Sequence, residues 1–184
     1  MDNSFSTNHI KCIKAVNDVL NNTSDFKNAM QDIVEILFAI YECDRAYLFY
    51  PCAPDALQWR AIECTADEWF SANDVGQDLM MDESVASVCK TLHEKKDVVT
   101  FGAKGDVPIP EMLMETFKIN AQISMPIYSP KGDVLALGLH QCSYERVWSD
   151  EDKKLFKEIG LLITKYISES YDNFKHYYDQ VGVS

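Results

Sequence analysis

Residues 135–160 read LALGLHQCSYERVWSDEDKKLFKEIG. An apolar run, LALGL, ends in the polar triplet His140-Gln141-Cys142. A short segment with Arg146 and Trp148 follows, and Ser149 then opens a long helical pattern. Ser149 and Asp152 are spaced as a capping box, with Asp in place of the preferred Glu. A strand that delivers polar groups just before a helix begins can line the floor of a pocket. Working backward, Pro130-Lys131-Gly132-Asp133 is a turn, and 121–128 is the strand that precedes it. The two form a hairpin, so the sheet is antiparallel there.

The rest of the chain supplies helices around that sheet. Ile10, Ile13, Val16 and Leu20 mark a helix over 6–20, broken at Asn21-Asn22-Thr23-Ser24. From Asp25, the positions Phe26, Met30, Ile33, Leu37 and Tyr41 step by four and three, one face of a second helix. Residues 45–50 (RAYLFY) form an aromatic strand, and 57–64 make the return strand of a hairpin. Residues 65–80 read as loop. Asp82 caps a helix running to about residue 92, 97–101 is a short strand, and 111–117 is a brief helix. Helices before and after an antiparallel sheet predict an α+β fold, with helices packed on one face and a pocket under the loops on the other.

The bulk numbers bound the function. The chain has 184 residues, 47% apolar and 25% charged, with a net charge of −12. That is one domain's worth of sequence with a core of its own. The acidity argues against a nucleic-acid partner and against anionic membranes. No apolar run reaches membrane-spanning length, so membrane insertion is not expected, and the cytoplasm is the expected location. Six cysteines occur without a Cys-x-x-Cys pair, so neither a zinc site nor a thioredoxin-type motif is indicated. No phosphate-binding glycine loop, serine elbow or His-Glu-x-x-His motif appears. No catalytic or metal-binding residue is assigned.

Two blocks carry a family resemblance: CDRAYLFY at 43–50, and SMPIYSPKGDVLALGLHQCSYERVWSDEDKKLF at 124–156. They resemble GAF domains, the sensory modules of histidine kinases, diguanylate cyclases and phytochromes. The His-Gln-Cys, Arg-x-Trp and acidic helix start are close to the phytochrome type. The segment YPCAPDALQWR at 50–60 is similar to GAF domains of sensor kinases with no demonstrated pigment. The resemblance spans roughly residues 25–168. It implies a fold with a long C-terminal helix, divided into an N-terminal helix (1–23), the GAF domain (24–168) and a C-terminal extension (169–184). It also implies a sensory module, not an enzyme, that can be fused to a histidine kinase or diguanylate cyclase in a longer protein. Bilin-binding relatives hold the chromophore through a Cys-His pair before the strand matching 121–128. That pair falls on Ile109 and Pro110 here, so covalent bilin attachment at the usual position is not expected, and the cofactor is unknown.

The candidate ligand-binding residues are Tyr47, Phe49, Trp59 and Glu63 on the first hairpin, with His140, Cys142, Arg146 and Trp148 after the last strand. His140 is a pocket histidine or a core one; Cys142 is a ligand contact or a small buried hydrophobe. Arg146 and Trp148 either close on an anion or fix the helix entry. The final helix is expected to be continuous over 149–180, about 48 Å long at 1.5 Å per residue. Phe156, Ile163, Ile167, Ser170, Phe174, Tyr177 and Val181 form a heptad-like seam on it. That seam predicts a homodimer through the C-terminal helix. The rival expectations are a ligand-free dimerisation module and, remotely, a methionine sulfoxide reductase using Cys52, Cys64, Cys89 or Cys142.

Overall fold

The computed structural model describes residues 3–71 and 80–182, with side chains from His9 onward. Five antiparallel strands form one sheet in the order β2-β1-β5-β4-β3. They are β1 (Arg45–Tyr50), β2 (Arg60–Thr65), β3 (Val99–Gly102), β4 (Ala121–Tyr128) and β5 (Val134–Gln141). The helices are α1 (Asn3–Asn22), α2 (Phe26–Tyr41), α3 (Glu83–Lys95), α4 (Glu111–Phe117), α5 (Asp150–Glu169) and α6 (Tyr171–Gln180). The expected loop over 65–80 lies partly outside the described residues.

Local chemistry sets the helix ends. The Asp25 side chain accepts from the Asn28 amide, and Asp82 accepts from Ser84 and Val85. Ser149 and Asp152 form the full reciprocal capping box at the start of α5, satisfying two otherwise orphaned donors. The C-terminal caps of α2, α3 and α4 are Glu42, Lys96 and Lys118, each left-handed.

Strand alternation divides the sheet into two faces. Ala46, Leu48 and Tyr50 of β1, with Leu135, Leu137 and Leu139 of β5, pack against Ile33, Leu37, Phe156 and Ile163 in the main core. The helices α2 and α5 lie on that face, and α1 forms an outer layer across both of them. Gly160 brings α5 close to β4, since a Cβ there would stand 2.3 Å from Met125 Sδ. The other sheet face is not left to loops: α3 and α4 cover it, around a second core of Phe49, Cys52, Trp59, Val85, Cys89 and Leu92.

The long final helix of the sequence reading is corrected. It breaks at Ser170, whose φ of −132° and ψ of 39° lie outside the helical region. Thr164, Ser168 and Ser170 each turn the hydroxyl back onto the carbonyl four residues earlier, a bond that bends helices. Beyond the break, α6 returns to the domain. Phe174 and Tyr178, both 0% exposed, pack edge-on against Phe26 at 5.5 and 5.9 Å. Phe156, Ile163, Ile167 and Phe174 of the supposed seam are therefore buried within their own chain. The docking also has a polar clamp. Asp133, in the β4–β5 turn, accepts from the Tyr50 hydroxyl at 2.9 Å and the Tyr171 hydroxyl at 2.6 Å.

Candidate functional site

Three rungs across the second sheet face build the site. The first is Thr65, Arg45, His140, Gln122 and Phe101; the second is Glu63, Tyr47, Gly138, Ser124 and Val99; the third is Ala61, Phe49, Ala136 and Pro126. Polarity thus falls along the strands, from a charged end to an apolar one. A cavity lies over these rungs, between the sheet and the side chains of α3 and α4. Its volume is about 70 Å³, room for a few waters or one small organic group. Phe49 and Trp59 meet at its apolar end, ring centroids 5.0 Å apart, and the Trp59 indole donates to the Met80 carbonyl.

At the polar end, Arg45 is 2% exposed. An arginine can only donate, so His140 Nδ1 accepts from Arg45 Nη1 at 2.9 Å. The single proton of His140 then sits on Nε2. Burial, followed by the positive charge of Arg45, pushes the pKa of His140 well below the usual histidine range, so the ring is neutral. Arg45 Nη2 donates to the Phe70 carbonyl, and the guanidinium lies 5.5 Å from the Phe117 ring centroid. Three buried polar atoms on this rung have no hydrogen-bond partner in the described structure: Arg45 Nε, Gln122 Oε1 and Thr65 Oγ1. The Gln122 amide nitrogen donates to Ser124 Oγ at 2.9 Å and to Tyr47 Oη at 3.2 Å. Glu63, one rung away, accepts from the Ser71 hydroxyl.

Gly138 lets Tyr47 lie flat across the sheet. A Cβ at this position would stand 2.1 Å from Tyr47 Cζ, a contact no rotamer of the rigid ring relieves in place. Gly138→Ala is therefore expected to displace Tyr47, break its 3.0 Å bond with Ser124 and cost about 1–3 kcal/mol. Chemical denaturation measures the loss; an unchanged midpoint would mean that the ring has another resting place.

The structure brings together five of the eight residues singled out from sequence. Tyr47, Phe49, Trp59, Glu63 and His140 line the cavity, whereas Cys142, Arg146 and Trp148 do not. Trp148 packs into the helix-side core, its ring centroid 6.2 Å from that of Tyr41. Arg146 donates to the Tyr41 carbonyl and to Gln141 Oε1, and lies 4.4 Å from the Trp148 ring centroid. It fixes the entry to α5. The Cys142 thiol donates to the Phe117 carbonyl, and burial pushes its pKa up to about 11.

Sequence reasoning missed Arg45 and Gln122. The signal for Arg45 was present: it stands two and four residues before Tyr47 and Phe49, on the same strand face. Cys52 and Cys89 also line the cavity. A hydrogen bond with Cys89, together with burial, holds the Cys52 thiol far above its ordinary pKa, which suppresses the reactive thiolate. Ile109 is buried in the cavity-side core, and Pro110 stands at the N-cap of α4. Among the described residues, no cluster of three or more His, Cys, Asp or Glu side chains could hold a metal ion.

A second hollow, about 520 Å³ in the same measure, lies between α2, β2 and α6. Its polar lining, including Lys27, Gln31 and Arg60, is at least partly exposed. No helix of the described structure is long and apolar enough to cross a membrane.

A family model for the GAF domain matches residues 25–167. The phycoerythrobilin-bound GAF domain from a cyanobacterial phytochrome superposes with a TM-score of 0.73 at 12% identity, covering 93% of this chain and 99% of that one. The GAF domain of the cyanobacteriochrome TePixJ gives 0.62 at 18% identity, covering 83% and 94%. The chromophore-binding domain of an unusual bacteriophytochrome from R. palustris gives 0.71 at 12% identity, covering 94% and 64%. At these identities the likeness is one of fold. No curated protein matches the chain by sequence.

Proposed function

We propose, from the premise that this chain belongs to the GAF domain family, that it is a sensory module binding a small molecule non-covalently in the cavity over β1, β4 and β5. The observation that carries this reading is a cavity lined by the buried Arg45, His140 and Gln122, on whose rung Arg45 Nε, Gln122 Oε1 and Thr65 Oγ1 have no hydrogen-bond partner in the described structure. Unmade bonds to buried polar groups cost about 1–3 kcal/mol each, and a ligand that completes them has a reason to bind there. The bilin-bound neighbours support a small-molecule role for the fold. The family's sensory role, together with the protonated Cys52 thiol, favours a module without catalysis of its own.

The sensory unit is residues 24–168, preceded by the helix of 1–23 and followed by 169–184, and the cytoplasm is its proposed location. Its output runs through α5 and α6. A homodimer through the C-terminal seam requires α6 to leave Phe26 and Tyr50, which size-exclusion chromatography with light scattering reads with and without ligand.

Native mass spectrometry of the purified chain tests the reading, with an absorbance scan for a bound pigment. The expected result is a co-purifying mass released on denaturation, or a thermal shift with members of a metabolite library. An apo mass alone, with no shift across the library, would overturn it in favour of a ligand-free module.

A further inference from the structure

We infer that the polar end of this cavity is a carboxylate subsite, and that the ligand is a small monocarboxylate with an aliphatic or aromatic body, its carboxylate paired with Arg45. The inference rests on the sensory reading above and names the ligand class for the same cavity.

The charge balance is the first argument. Arg45 carries a permanent cation at 2% exposure. None of the ion pairs among the described residues includes it, so no carboxylate oxygen of the described residues lies within 4.0 Å. Its neighbours are a neutral imidazole, a backbone carbonyl, the protonated Cys142 thiol and the Phe117 ring. A buried charge is costly unless an opposite charge or a full set of hydrogen bonds accompanies it. Here Nε still lacks a partner.

The donor set is the second argument. With Nδ1 accepting from Arg45, His140 presents an N–H at Nε2 and cannot act as the missing anion. Gln122 Oε1 is an orphaned acceptor, but amide oxygen and nitrogen exchange by a 180° flip. After the flip, the NH₂ group occupies the orphaned position, and the oxygen accepts from one of the Tyr47 and Ser124 hydroxyls while the other donates within that 3.0 Å pair. Arg45, His140 and Gln122 then form one rung of donors without a carboxylate among them; Thr65, at the end of the rung, is not among the residues that line the cavity. A carboxylate, with about four lone-pair positions, fits that rung.

The surroundings set the rest of the ligand. Glu63 lies on the adjacent rung, so a second negative charge would meet a carboxyl group in a region of low dielectric. That disfavours dicarboxylates and phosphates. Phe49, Ala136 and Trp59 line the cavity at its other end, where only an apolar body is accommodated without loss of hydrogen bonds.

The test is calorimetry and thermal shift on the whole chain at neutral pH with hexanoate and phenylacetate, against hexanamide, phenylacetamide and glutarate. The acids are expected to bind at least tenfold more tightly than their amides and than glutarate, with Arg45→Gln erasing the preference. Because Arg45→Gln can fail to fold, the acid–amide comparison on the native chain is decisive by itself. Amides that bind as well as the acids, or glutarate that binds better, would overturn the carboxylate subsite and leave the sensory module standing. No binding by any of the five, with a different class of molecule co-purifying, would overturn the subsite alone. No binding by any of them and no co-purifying mass would overturn both.

Discussion

Asp44→Ala is expected to lower the unfolding free energy by about 3 kcal/mol, from the loss of hydrogen bonds to a charged acceptor and the stranding of a buried donor. One oxygen, Asp44 Oδ2, accepts from Gln141 Nε2 at 2.7 Å, Cys142 N at 2.6 Å, and Ser143 N and Oγ at 2.8 Å each. These bonds fasten the end of β5 to the start of β1, the border of the rung that holds Arg45 and His140. Burial works against the Asp44 charge, but the bonds from Ser143, Cys142 and Gln141 outweigh it and hold the carboxyl below its ordinary pKa. A depressed carboxylate contributes stability that is fully present above the unfolded-state pKa of about 3.9. That contribution is lost as the pH falls through the lower, folded-state value. The gap between wild type and Asp44→Ala should therefore be widest at neutral pH and close in acid. Urea titrations at several pH values measure it, and a gap independent of pH would show that the carboxylate charge is not what Asp44 contributes.

Phe174→Ala is expected to be larger still, about 4 kcal/mol if unfolding remains cooperative. The ring is 0% exposed and stands 5.3–5.5 Å from the rings of Tyr50, Tyr178, Phe26 and Tyr171. Tyr178 and the Asp133 clamp also hold α6, but Phe174 stands at the centre of that cluster, so the loss should be local first. Amide hydrogen exchange should speed up over Tyr171–Gln180 while α5 stays protected to Glu169. Equal protection in both helices would mean that α6 docks through the Asp133 clamp and not through its aromatic face.

These two sites also show what the sequence could reveal. The strand pattern of 45–50 and 134–140 was legible because alternation is a local property, and it carried Tyr47, Phe49 and His140 to one face correctly. Past Gln141 the strand ends and alternation no longer applies: Cys142 stays beside Phe117 and Arg45 without lining the cavity, while Arg146 and Trp148 turn toward Tyr41 on the helix side. Arg45 was passed over because a charged residue in a strand is ordinarily assigned to solvent. Only the register of three neighbouring strands shows it buried. The unbroken final helix was a fair reading of periodicity, since no Gly or Pro interrupts 161–180. The break comes from back-bonding hydroxyls and from the aromatic cluster on Phe26 and Tyr50, a tertiary contact with residues far away in the chain.

β1 belongs to both halves of the molecule. Phe49 faces the cavity, and the next residue, Tyr50, stacks on Tyr178 at 4.3 Å and bonds to the Asp133 clamp. Occupancy of the cavity and docking of α6 are then two equilibria that share a peptide bond. If a ligand's grip on Phe49 changes how firmly Tyr50 holds α6, thermodynamic reciprocity requires the docking of α6 to change the ligand's affinity by the same factor. A titration of wild type against Phe174→Ala would read that coupling from the far side, and equal affinities would set it at zero.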